Sequence, residues 1–457
     1  MRSEEEAASR IGNRSVVRPQ MRTPVQGEAA VTSPVTQLTS KFQDIAGFPA
    51  FQPSEKRRNT AKFGKVEAPK PQVLVSVHEE LEPLKAVWQA LERSGDCTAF
   101  QTFAWVSAWQ RHIGTKQGVT PAIVVGWDSE GSALFIMPLG LESGLLCNKL
   151  VWLGGDLCDY QGPLLSKAFS RTVSAAQFPA LWADIREILP THHMVALSRM
   201  AERVGDQANP FMTLDGLRRH ASSAHMTRLK GDWASYYAEK RSSGSKKRDK
   251  QKRRKLEELG DVAFVTAQTD EEKLRTLDAL MAQKSVSFAR MGISNLFDRP
   301  GYRDFYRDLA TDPDANGLIH VGHLAVGDTI AAANWGVSFG GRYCYVLASY
   351  DEGAEASRFG PGMAQLMELM AHAAGTGHTE FDFTIGDETY KDQWCEVEIP
   401  LFDLVEPNNL IGWMELGPRI AYLQAKRFIK QTPVLWHWFT RLRAAKAGLS
   451  IARFHRA

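Results

Sequence analysis

Apolar residues recur at helical spacing in FAWVSAWQRHIG (103–114), where Phe103, Val106, Trp109 and Ile113 fall on one face, and that spacing predicts a helix. PAIVVGWD and SALFIMPLGLE are short apolar runs separated by Asp128-Ser129-Glu130-Gly131, the pattern of a hairpin. KLVWLGG reads as a further strand, Asp156 to Tyr160 as a loop, residues 175–189 as a helix and MVALSRM as a buried strand. A helix from Trp233 carries a basic run, Asp261 to Gln268 is a strand, and helices follow at about 270–290 and 300–311. LIHVGHLAV, TIAAANWGVSF and RYCYVLASY form an antiparallel meander punctuated by Gly327-Asp328 and Gly340-Gly341. A helix from Pro361 then leads to the strand EFDFT.

These patterns divide the chain. Residues 1–75 mix Arg, Glu, Ser, Thr, Pro and Gln without sustained periodicity. Such a segment buries too little apolar surface to offset its ordering entropy, so a disordered tail is expected there, with order beginning near Val73-Leu74-Val75. Residues 76–215 and 216–407 are expected to form two domains, the second repeating the scheme of the first at greater length. Residues 408–457 hold many Arg and Lys and several Trp, and read as two amphipathic helices broken near Thr432-Pro433. The fold class expected is α/β (α+β), with mixed, mostly antiparallel sheets flanked by helices.

Composition narrows the function classes. With 44% apolar residues, 23% charged residues and a net charge of +3, the chain is an ordinary globular protein and not a dedicated DNA binder. Cys97, Cys147, Cys158, Cys344 and Cys395 are scattered without a C-x-x-C pair, which argues against a disulfide framework or a cysteine zinc site. The start MRSEEEAASR has no apolar core segment of a secretory signal, and no run of about 18 apolar residues occurs, so a cytoplasmic protein is expected.

Candidate chemistry concentrates between Tyr343 and Trp394. Arg358-Phe359-Gly360-Pro361-Gly362 leads into a helix, and such a turn aims unpaired backbone N–H groups and the positive end of the helix dipole at one point. That suits a phosphate or pyrophosphate. Just past the following strand, Asp382, Asp387, Glu388, Tyr390 and Lys391 crowd together. An anion cradle beside a polar strand end is the layout of an acyl-coenzyme A-dependent transferase. Transfer to an amine needs a base, for which Asp382, Asp387 and Glu388 are candidates. It also needs stabilisation of an oxyanion and release of a thiolate, for which Lys391 and Tyr390 are candidates. The dense cationic run from Lys246 to Lys255, including Lys247, Arg248 and Arg254, suits an anionic ligand such as a nucleotide-sugar, a lipid-linked phosphate or tRNA. Asp159-Tyr160 is a candidate lining for an inter-domain cleft. The histidines show no metal-ligand spacing, and no metal is expected.

The ordered series of these features resembles the BioF/CelD-like acetyltransferases of the GNAT superfamily and is more distantly similar to FemAB-type peptidyltransferases. It runs through the Trp105–Trp109 helix, Pro138-Leu139, Leu153-Gly154-Gly155, Asp159-Tyr160 and the basic segment near 246–255. It continues through Tyr350-Asp351, Gly360-Pro361-Gly362, Phe381-Asp382-Phe383, Gly386-Asp387 and Tyr390-Lys391…Trp394, covering roughly 80–410. The resemblance implies tandem GNAT-like domains, with acetyl-CoA or another acyl-CoA held in the second by Arg358, Gly360, Gly362 and Met363. It further implies a role in cellulose, exopolysaccharide or envelope biosynthesis, with a small-molecule or lipid-linked sugar as acceptor. One departure stands out: Arg358 lies only two residues before Gly360, and Pro361 removes an N–H donor. The donor is therefore left open between acyl-CoA and, as in the FemAB type, aminoacyl-tRNA. A further alternative is a non-catalytic scaffold whose basic C-terminus lies on an anionic membrane surface.

Overall fold

The computed structural model of the chain describes residues 73–229 and 231–432. Almost all of the tail expected over 1–75 lies outside them, as do the residues beyond Thr432 in which a second C-terminal helix is expected. Beside a two-stranded ribbon of Arg203–Val204 and Gln207–Ala208, three sheets carry the fold.

The first sheet pairs Leu74–His78, Ile123–Trp127, Ala133–Met137 and Leu164–Leu165, all antiparallel. Its hairpin turns where the sequence predicts. The Asp128 carboxylate accepts from the backbone N–H of Glu130 and Ser132, and Gly131 takes φ +82°. The apolar run SALFIMPLGLE is not one strand. Proline cannot donate to a ladder, so the run breaks at Pro138, and Leu139–Glu142 continues in the second sheet.

That second sheet is ordered Leu217–Arg219, Leu401–Pro407, Met194–Ala201, Lys149–Trp152, Leu139–Glu142, Val119–Pro121. Residues 217–219 and 401–407, which the sequence pattern assigns to the second domain, thus hydrogen-bond into the sheet of the first lobe. The third sheet is ordered Val262–Thr266, Ile319–Val326, Thr329–Phe339, Arg342–Tyr350, Glu380–Ile385, Ala224–Arg228, Val397–Ile399 and contains the expected meander. The core runs through both lobes without a break. Trp105, on the helix Phe103–Trp109, sets its ring 5.2 Å from Phe305 and 5.9 Å from Trp335 of the second lobe.

Both larger sheets contain one parallel pair. Lys149–Trp152 (β1) pairs with Met194–Ala201 (β2), and Arg342–Tyr350 (β3) pairs with Glu380–Ile385 (β4). A crossover carrying a helix joins each pair: Phe178–Ile188 (α1) in the first lobe and Pro361–Gly375 (α4) in the second. Each ladder is brief, two rungs in the first lobe and three in the second. Among the described residues, only Arg199 and Thr384 are non-glycine residues with positive φ, and they sit late in β2 and β4 respectively. Each lobe thus has a left-handed residue beyond the last rung of its parallel pair.

Three further helices frame the second lobe. The segment from Trp233 is two helices rather than one, because the Ser242 hydroxyl accepts from Ser245 N–H and starts Ser243–Glu257 (α2) afresh after Trp233–Lys240. Asp270–Met291 (α3) begins with a capping box between Thr269 and Glu272 and ends at Gly292 in the left-handed region. It buries Leu277, Leu280 and Met281 against the sheet. Leu410–Gln431 (α5) closes the described chain.

Candidate active site

The site is built on the divergence of β3 and β4. Arg342 pairs with Glu380, Tyr343 with Phe381 and Cys344 with Asp382, and there the ladder stops. Two side chains curl the end of β4 away. The Asp382 carboxylate accepts from Thr384 N–H at 2.7 Å, and Thr384 takes φ +58°. The Lys391 ammonium, 3% exposed, then collects the carbonyls of Thr384, Ile385 and Gly386 at 3.1–3.3 Å and pairs with Glu388 at 2.8 Å. A left-handed threonine costs of order 1–3 kcal/mol, and the converging bonds offset it.

The divergence leaves a cleft of about 400 Å³ between the strands. Tyr345, Val346 and Ser349 line one side, Phe383, Thr384, Glu388, Tyr390 and Lys391 the other. Lys284 of α3 closes one wall, and Gly362 and Met363 of α4 form the rim. Burial pushes the Tyr390 hydroxyl above its ordinary range, with Glu388 adding to the rise, so it is a protonated donor at neutral pH.

On the other side of Met363 lies a second cavity of about 410 Å³. Trp233, Tyr237, Phe359 and Met367 supply apolar faces, and Lys246, Lys250 and Lys252 of α2 supply charge. Lys250 and Lys252 have no ion-pair partner among the described residues. Gly360 joins this cavity to the helix start. It takes φ +66°, and a Cβ there would lie 3.2 Å from Lys252 Nζ. Gly360 N–H donates to Ser357 O, and the N–H groups of Met363 and Ala364 both donate to Gly360 O. Pro361 has no N–H. Of the amides in this turn, Gly362 is the one left for a ligand. The anion site therefore relies on α2 cations more than on a fan of bare amides.

The residues singled out in the sequence separate into groups. Gly362, Met363, Glu388, Tyr390 and Lys391 meet at the cleft, and Gly360 and Met363 line the second cavity. Asp382 lines neither. It is fully buried on the opposite face of β4, where it accepts from Tyr160 OH at 2.8 Å and from Arg342 at 3.3 Å. Burial raises its pKa, and Arg342 opposes that rise. Tyr160 is likewise buried, its hydrogen bond to Asp382 ties the lobes together, and with Arg342 and Cys344 it lines a separate cavity of about 850 Å³. Burial pushes Asp159 up to about 6, with Arg199 3.9 Å away pulling it down. Asp387 is exposed beside His225, 3.5 Å away. Arg358 is exposed, with no ion pair to Asp351 or Glu355 among the described residues. Lys247, Arg248 and Arg254 point outward from α2, because the cavity takes the helical face of Lys246, Lys250 and Arg253. Lys284 and Trp233 escape the sequence reading as site residues, whereas Lys250 and Lys252 belong to the cationic run that the sequence offers for an anionic ligand. The signal for Lys284 is its place in the stripe Leu277–Leu280–Met281–Lys284–Phe288, a lysine where the helix faces the core.

Residues 243–392 match the family model of the GNAT acetyltransferase domain. No curated protein matches the chain. Among solved structures, FemX is similar with a TM-score of 0.50 at 10% identity, over 72% of this chain and 96% of that one. A conserved protein of unknown function from Bacteroides thetaiotaomicron is similar with a TM-score of 0.46 at 10% identity, over 73% and 100%. L-PGS from Bacillus licheniformis is similar with a TM-score of 0.43 at 13% identity, over 76% and 98%. At 10% identity the likeness to FemX is one of fold. The matched segment contains α2, α3, both strands of the cleft and the helix between them, and the chain is accordingly an acyltransferase of the GNAT fold with its acetyltransferase domain in the second lobe.

Proposed function

We propose that the chain moves an acyl group from acyl-coenzyme A to an amine or hydroxyl acceptor. The observation that carries this reading is the pair of cavities sharing Met363 on either side of the α4 N-terminus. A donor laid across that corner has its nucleotide against Trp233 and Tyr237, where stacking on an aromatic face contributes about 1–3 kcal/mol. Its pyrophosphate meets Gly362 N–H, Lys250 and Lys252, and its pantetheine arm enters the cleft between β3 and β4. Tyr390 and Lys391 stand where the thioester would arrive.

The acceptor, following the resemblance, is a sugar or lipid-linked intermediate of exopolysaccharide, cellulose or envelope synthesis. No described helix is long and apolar enough to cross a membrane, but Leu410, Trp413, Met414, Tyr422 and Phe428 are exposed on α5, which suits peripheral contact with a lipid surface. A second reading, aminoacyl transfer from tRNA, is favoured by the outward cations Lys247, Arg248 and Arg254, which extend beyond the cavity as a polyanion would require.

Calorimetry with coenzyme A tests the first reading. Binding is expected, and Lys250→Ala and Lys252→Ala are each expected to weaken it about tenfold, the loss of one charge-assisted contact of ~1.5 kcal/mol. No heat at millimolar coenzyme A overturns it. Turnover that depends on charged tRNA but not on acyl-CoA would establish the second.

A further inference from the structure

Lys284 enters the cleft from an element that the sequence motifs do not touch. It lies on α3, one turn past Leu280 and Met281, on the stripe that faces the sheet. Its neighbour Gln283 fixes the register of this turn, donating to Ile330 O at 2.8 Å and accepting from Ser349 Oγ at 2.7 Å. Ser349 is on β3 and lines the same cleft. The side chain of Lys284 is thus held at the divergence of β3 and β4, with its Nζ 5.6 Å from the ring centre of Phe288. It has no hydrogen bond or ion pair among the described residues.

The other titratable groups on the cleft are Glu388, Lys391, Tyr345, Tyr350 and Tyr390. Lys391 is committed to Glu388 and to three carbonyls, which hold its side chain in place. The tyrosines Tyr345 and Tyr390 are held protonated by burial. Glu388 is drawn to Lys391. Among these groups, the uncommitted amine is the one free to accept a proton. Burial pulls its pKa below the ordinary lysine range, with Glu388 opposing.

We propose that Lys284 is the general base of acyl transfer, a reading that rests on the acyl-CoA donor proposed above. In its neutral form Nζ takes a proton from the attacking nitrogen or oxygen of the acceptor. The acceptor atom bonds to the thioester carbonyl carbon, whose π electrons move to oxygen. Collapse of that intermediate breaks the C–S bond, and the proton on Lys284 passes to the departing sulfur. The products are the acylated acceptor and the free thiol, with Lys284 neutral again. Positioned bases of this kind contribute about 10²–10⁴-fold.

Two measurements test the assignment. The first is the pH dependence of amine labelling at Lys284 in the full-length chain, read by peptide mass spectrometry, which needs neither acceptor nor turnover. A midpoint below that of an ordinary lysine is expected, and one at about 10.4 overturns the proposal. The second follows thiol release from acetyl-CoA with water as acceptor, beside calorimetry with coenzyme A. Lys284→Met and Lys284→Arg should both bind coenzyme A within about twofold of wild type and release thiol at least about 10²-fold more slowly. Wild-type turnover should fall on the acid side with the midpoint found by labelling, and that limb should be missing from both variants. If Lys284→Arg keeps the wild-type rate, a fixed cation suffices and the base assignment falls. If the wild-type chain binds no coenzyme A, the donor reading falls instead, while the labelling profile still decides Lys284.

Discussion

Glu92 lies against the first turn of the helix Phe103–Trp109, where its Oε1 accepts from Phe103 N–H. The bond fills one of the orphan donors of that turn, but the carboxyl has little solvent, and burial pushes it up to about 7. A raised carboxyl pKa means that the folded chain holds the proton more tightly than the unfolded one. Its stabilising contribution is complete below about pH 4.5, the unfolded value, and is lost as pH rises through 7. Glu92→Gln keeps an acceptor and cannot ionise. Denaturant melts at pH 5 and pH 8 should show the wild type losing up to ~3 kcal/mol across that span, and the variant losing correspondingly less. Nothing in KAVWQALERS announces this. Glu92 occupies an ordinary polar position on its helix, and only the approach of Phe103 makes it unusual. Lys284 is the converse case, a polar residue on an apolar stripe, and there the pattern itself is informative.

The elements follow from local signals wherever those signals are strong. The hairpin at Asp128, the capped start of α3 and the meander with its glycine turns all lie where periodicity and turn chemistry predict. Two breaks are carried by single residues and not by the apolar runs: Pro138 divides a strand between two sheets, and Ser242 divides a helix. The direction of the basic run was not legible, because which face of α2 meets α4 depends on where Leu256 is buried and not on the charges. The α4 turn offers a test at this scale. Gly360 has φ +66°, which costs an alanine roughly 1–2 kcal/mol, and its Cβ would press on the Lys252 ammonium from 3.2 Å. Gly360→Ala should therefore lower the melting temperature modestly and also weaken coenzyme A binding, since Lys252 must move off the helix start. Unchanged affinity in calorimetry would show that Lys252 does not face the donor.

Across the whole molecule, the two lobes are bound by more than a shared core. The strand 401–407 leaves the second lobe to pair with Met194–Ala201 of the first, and Tyr160 reaches Asp382 over a separation of 222 positions. Such long-range pairings leave no local signature, which is why Asp382 reads in the sequence as a catalytic carboxylate at a strand end. Its position argues for a different role. Tyr160, Arg342 and Thr384 N–H occupy its oxygens on the side away from the cleft, and the bond to Thr384 shapes the kink that opens β4 from β3. Removing one member of a buried ion pair costs about 3–5 kcal/mol, because the other charge is left unmatched. Here Arg342 keeps Glu380 at 2.7 Å, so Asp382→Asn should fall near or below the lower end of that range. Tyr160→Phe, which leaves the pair intact but removes a donor, should cost about 1–3 kcal/mol. Both variants should lower the denaturation midpoint in that order, and thiol release per folded molecule should decline only as far as the cleft loosens. A catalytic base at Asp382 would give the opposite signature, an unaltered midpoint with thiol release reduced about 10²-fold or more.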